Sequence, residues 1–181
     1  GALPAILDSL GPDAVELRDQ LLAQMRAVPR LRPALADYVS RRVPDLSESD
    51  RETLRSLVTD ANPITVQTAL VGVLRMADRD PHLARNLALQ AKVGNDSESA
   101  DRLCSVLTRK GMPLSRDDRV VILEKLATVP RLDYFSREFL VDTAKDAPEL
   151  VVDLMLDRIA SATTAEFEAV PYESFDGGLL A

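Results

Sequence analysis

Apolar residues along the chain recur at three- and four-residue intervals, and β-branched residues nowhere alternate with polar ones over a useful length, so the pattern predicts helices throughout and no strand. Two stripes mark expected inward faces: Leu17, Leu21, Met25 and Val28, and then Leu150, Val151, Leu154 and Ile159. Pro12, Pro33, Pro63, Pro81 and Pro148 sit where a first helical residue loses no hydrogen bond, and Asn62 and Asp80 precede two of them as N-caps. Ser47 with Asp50, Ser115 with Asp118 and Thr163 with Glu166 read as capping pairs. Pro29, Pro44, Pro113 and Pro130 end helical patterns, and Gly94 and Gly111 suit helix C-termini. These signals place helices near 12–28, 33–43, 48–60, 63–77, 81–93, 97–110, 116–129, 133–145, 148–160 and 164–169. The short connections make successive helices antiparallel neighbours.

A longer rhythm overlies the helices. Leu22 to Leu31 (LAQMRAVPRL) matches Leu123 to Leu132 (LEKLATVPRL) at five of ten positions, with an offset of 101 residues. The turn residues Pro29, Pro63, Asp96 and Pro130 divide that offset into steps of 34, 33 and 34. A period in the thirties with two helices per unit is the mark of an α-solenoid, in which a hairpin buries its apolar stripe only against the next one.

The segment Asp60-Ala61-Asn62-Pro63-Ile64-Thr65-Val66-Gln67-Thr68-Ala69-Leu70-Val71-Gly72-Val73-Leu74 resembles the inter-helix turn and second helix of a HEAT repeat. Asn95 to Ala100, followed by Leu103 and Leu107, is a weaker echo. Gln67 stands where a HEAT helix usually carries a basic residue. Tetratricopeptide repeats match the period better, but their first-helix Trp, Gly and Tyr are missing and Asp80-Pro81 alone resembles them. The resemblance implies an all-α fold, an α-α superhelix of about four to five stacked antiparallel helix pairs. Residues 1–169 are expected to form a single HEAT-like helical-repeat domain and 170–181 a C-terminal tail or linker, with the tetratricopeptide-like and irregular helical-bundle readings left open.

Composition narrows function more than it names it. The 181 residues hold 22 Lys+Arg against 29 Asp+Glu, a net charge of −7, with one His, one Cys and no Trp. Ten acids lie in 138–181 against Lys145 and Arg158, which disfavours a phosphate backbone as partner there. A single cysteine, Cys104, forms no internal disulfide, and the chain does not open on a signal-type sequence, so the cytoplasm is the expected location. Gly1-Ala2 reads as an expression remnant, and the chain is expected to be a piece of a longer protein.

Candidate chemistry is sparse. A lone His82 in a first helical turn reads as a surface or capping residue, and Cys104, among Leu103, Val106 and Leu107, as a buried small hydrophobe. Asp117-Asp118 fits a helix start, and neither phosphate-loop glycine spacing occurs. No catalytic, cofactor or metal residue is assigned. Two surfaces are left as candidate partner contacts: the arginines Arg26, Arg30, Arg32, Arg41 and Arg42, and the aromatics Tyr172 and Phe175 of the tail. The expected function is therefore a non-catalytic protein-interaction or scaffold module contacting another protein or another domain of the same chain. The alternatives are a helical accessory domain of a larger enzyme such as an NTPase, or an arginine-mediated nucleic-acid-binding array.

Overall fold

A computed structural model describes residues 2–43 and 46–161 of the chain and shows an all-α protein. Among the described residues ten α-helices are formed: α1 (Ala2–Ser9), α2 (Val15–Ala27), α3 (Arg32–Arg41), α4 (Glu48–Val58), α5 (Pro63–Met76), α6 (Pro81–Gln90), α7 (Ser97–Leu107), α8 (Arg116–Ala127), α9 (Tyr134–Asp146) and α10 (Pro148–Ser161). Short 3-10 turns, Pro12–Ala14 and Pro29–Leu31, precede α2 and α3. The expected pair Thr163–Glu166, the expected helix 164–169, Pro44, Tyr172 and Phe175 lie outside the described residues.

The start signals act as the side-chain chemistry requires. Ser47 and Ser115 each accept from the backbone N–H three residues on, while Asp50 and Asp118 reach back to the serine backbone, which makes both complete capping boxes. Asn62 accepts from the Ile64 N–H, Asp80 from Leu83 and Asp96 from Ser99. Gly94 and Gly111 have φ of 60° and 85°, the left-handed region where a side chain is strained, and both lie in the connections that follow α6 and α7. One helix comes as an addition: α1, in which Pro4 occupies the first turn without removing a helical hydrogen bond.

The chain divides into two units, 1–92 and 93–181. In the first, α3 packs on α5 and α4 on α6, with α4 also against α5 and α1 and α2 against α3. In the second, α7 packs on α9, α8 on α10, and α9 on α10. Alternate helices thus lie side by side in each unit, a packing compatible with a helical-repeat fold.

Within each unit, some of the hydrogen bonds between helices fall at the same interval as the turns, while others, such as Arg32 to Asp60 and Arg119 to Thr143, span 28 and 24 residues. In the first, the Lys92 N–H donates to the Val58 carbonyl, 34 residues back, at 2.8 Å, and Arg75 donates to the Ser40 carbonyl, 35 back, at 3.1 Å. In the second, Thr128 donates to the Gly94 carbonyl at 2.9 Å, Arg131 N–H to the Ser97 hydroxyl at 3.1 Å, and Ser136 N–H to the Asp101 carboxylate at 2.9 Å, offsets of 34, 34 and 35.

Burial corrects two expectations. Met25, Val151 and Leu154 are buried, but Leu17 and Ile159 are exposed. The inward face of α10 is Val151, Leu154 and Arg158, following Ala147 at the same spacing, so a polar residue takes the place expected of Ile159. Arg158 is fully buried because its guanidinium donates to the Leu126 and Val129 carbonyls at 2.8 Å each and to that of Pro130 at 3.3 Å.

Candidate functional site

A groove of about 920 Å³ lies within the second unit, between the α7–α8 connection and one face of α9. Its near wall is a loop that cannot continue as helix: Thr108 closes α7 by donating its N–H to the Cys104 carbonyl, Gly111 turns left-handed, and Pro113 lacks a donor. This places Arg109 and Lys110 in solvent and turns Met112 and Leu114 partly inward.

The far wall follows from helix periodicity. Tyr134, Glu138, Val141 and Lys145 stand at i, i+4, i+7 and i+11 on α9 and line the groove, while Ser136, Phe139, Leu140 and Thr143 bury the opposite side. Tyr134 is exposed and packs edge-on against Phe135, ring centroids 5.0 Å apart. Its hydroxyl donates to Glu138 at 2.8 Å, and that bond together with the Glu138 charge holds the phenol above its ordinary range.

Charge in the groove is mostly internally matched. Asp133 accepts both arms of Arg131, at 2.7 and 3.2 Å. Arg119 reaches from α8 to α9, donating to Thr143 and Asp146 at 3.0 Å each with Asp142 at 3.7 Å, and Lys145 lies 3.5 Å from Asp142. Arg137 donates to the Leu132 carbonyl at 2.8 Å. The Arg109 and Lys110 side chains have no hydrogen bond or ion pair among the described residues. A net-acidic chain thus presents two cations, uncompensated among the described residues, at the rim of a groove lined also by Met112, Leu114, Tyr134 and Val141.

The arginines singled out from sequence do not form one patch. Arg26, Arg30 and Arg32 stand at the N-terminal end of α3 and Arg41 and Arg42 at its C-terminal end, roughly 14 Å away at a helical rise of about 1.5 Å per residue. Most are engaged within the fold. Arg32 pairs with the buried Asp60 at 2.7 Å, Arg41 grips Asp37 with both arms, Arg42 lies 3.7 Å from Asp50 and over the Tyr38 ring, and Arg26 donates to Thr53. Arg30 is exposed in the turn.

The remaining candidates are spread apart. His82 is exposed in the first turn of α6, and Asp118 is buried as a capping residue. Cys104 is fully buried, and that burial pushes its thiol pKa up despite a hydrogen bond with Ser136. Among the described residues no group of three or more His, Cys, Asp or Glu is placed to hold a metal ion, and no helix is long and apolar enough to cross a membrane.

The groove was not read from sequence because it needs a loop and a helix face brought together. Its signals were Arg109-Lys110-Gly111 directly after a helix end and the Tyr134, Glu138, Val141, Lys145 spacing. No family model matches the chain, and neither a curated protein nor a solved structure matches it.

Proposed function

We propose that the chain is a non-catalytic protein-interaction module, a HEAT-like array of helix pairs whose groove beside α9 receives a peptide segment of another protein. One observation supports this reading above the others: the Arg109 and Lys110 side chains stand without charge partners among the described residues, at the edge of a cleft that also offers aromatic and aliphatic side chains. Such a surface suits a segment with carboxylates next to a large apolar residue. The carboxylates meet the cations, and the apolar residue covers Met112, Tyr134 and Val141. A nucleic-acid backbone fits less well, because its evenly spaced phosphates would face Asp133, Glu138 and Asp142 along the same walls.

Selection of a random displayed-peptide library on the full chain tests the reading. Enriched sequences should place Asp or Glu beside Phe, Tyr, Trp or Leu. Their binding should fall about tenfold or more in Arg109→Glu/Lys110→Glu, with melting unchanged because both side chains are exposed. Selected peptides that bind this variant as well as the parent would sink the proposal.

A further inference from the structure

We propose that the solvent face of α10 is a second docking surface, beyond the groove, and that its occupant is an amphipathic helix of another chain with basic residues along one edge of its apolar stripe. Val152, Leu156 and Ile159, at i, i+4 and i+7, are 55%, 59% and 54% exposed, although each is large and aliphatic. At 100° per residue the three fall within one narrow stripe, opposite the buried Val151, Leu154 and Arg158. An aliphatic stripe of this spacing is the surface that a second helix packs against, its side chains filling the gaps between successive turns.

Charge selects the occupant. Glu149, Asp153 and Asp157 succeed one another along one edge of the stripe, and all three are exposed. Glu149 is paired with Arg116 at 2.7 Å, but Asp153 and Asp157 have no charge partner among the described residues. The one cation of α10, Arg158, is turned inward and spent on backbone carbonyls. A second copy using the same face would set these aspartates against their own counterparts. Residues 162–181 carry Glu166, Glu168, Glu173 and Asp176 and no Lys or Arg, so that segment would bring like charge to the same edge. A helix with Lys or Arg beside its leucines supplies the missing charge and covers the stripe in one step.

The experiment titrates the full chain into two labelled synthetic peptides, each helical with leucines at i, i+4 and i+7, one edged with lysines and the other with glutamates, and reads fluorescence anisotropy. The lysine peptide should bind at least about tenfold more tightly, with the preference shrinking as salt is raised. Asp153→Lys/Asp157→Lys should reverse the preference, and Leu156→Ser/Ile159→Ser should weaken both peptides without lowering the melting temperature. Arg109→Glu/Lys110→Glu should leave the binding unchanged, so a failure here is separable from a failure of the groove. Three results overturn the proposal: equal binding of the two peptides, binding that appears only after Phe167→Ser/Tyr172→Ser/Phe175→Ser, or a concentration-dependent dimer abolished by Leu156→Ser. The second would show the chain's own segment on the face, and the third a second copy.

Discussion

Gly72 of α5 faces Ser40 of α3 so closely that a β-carbon at Gly72 would lie 2.6 Å from the Ser40 hydroxyl oxygen and 3.1 Å from its α- and β-carbons. Ser40 is buried there, donating to the Thr68 carbonyl at 3.0 Å and accepting Arg75 on its own carbonyl. Gly72→Ala gains about 1 kcal/mol of helix propensity but forces two packed helices apart, an overpacking cost of about 1–3 kcal/mol. A net loss of up to about 2 kcal/mol is expected in urea unfolding. Adding Ser40→Ala removes the closest atom, so the double variant should lose less than the two single losses summed. A Gly72→Ala protein more stable than the parent would refute the close approach.

Arg158 shows where reading helix faces from sequence stops. The position expected to point inward was Ile159, on the rule that apolar residues are buried, and the rule fails because the C-terminal carbonyls of α8 and its following turn need donors inside the fold. An arginine brings an aliphatic stem for the core and several N–H groups for Leu126, Val129 and Pro130. Arg158→Ala leaves those carbonyls buried and unpaired and should cost about 3–5 kcal/mol. Arg158→Lys, with one compact head for three spread acceptors, should recover part of it. Thermal melts of both variants measure the difference.

Helix positions, by contrast, were largely legible, because proline and capping chemistry act through the nearest three residues. Asn62-Pro63, Asp80-Pro81 and the Ser47 and Ser115 boxes start α5, α6, α4 and α8 where their local hydrogen bonds demand. The inward stripes were half legible, since burial depends on which neighbour arrives. Leu70 and Leu126 are buried, so truncation to Ala should cost about 2–5 kcal/mol each, whereas Leu17→Ala on the exposed side of α2 should stay within about 0.5 kcal/mol. A Leu17→Ala loss as large as the other two would contradict the orientation of α2. The groove was hardly legible, because its walls come from a loop and a helix face some 25 residues apart in the chain, and which charges are paired is decided only once the helices have packed.

The start of α9 is capped from another helix. Asp133, in the N-cap position, makes no capping hydrogen bond there and is held by Arg131 instead. The third-position N–H of Ser136, which has no partner within its own helix, is met by Asp101 of α7, 35 residues earlier, at 2.9 Å. Asp101→Ala should therefore destabilise the protein by about 0.5–2 kcal/mol, the usual worth of a helix N-cap. Asp101→Asn keeps an acceptor oxygen and should retain most of it. Amide hydrogen exchange at the start of α9 should quicken in the alanine variant before exchange elsewhere in that helix does. Uniform quickening would instead mark a general loss of packing.

Cys104 provides a test that needs no partner. Burial is the main cause of its raised pKa, and the hydrogen bond with Ser136 offsets it only in part. The unfolded chain releases the thiol proton above about pH 9, while the folded protein keeps it. The unfolded state then binds fewer protons than the native one, so the sign of the linkage is a stability that is fully present below pH 9 and falls as pH rises. The slope from this group approaches about 1.4 kcal/mol per pH unit. Denaturation midpoints of the parent should drop faster than those of Cys104→Ala across that alkaline range and run parallel below it. At neutral pH the native thiol should react with a soluble disulfide reagent only as fast as the protein opens, and denaturant should speed the reaction steeply. Immediate labelling of the folded protein would place Cys104 at the surface and overturn the packing of α7 against α9.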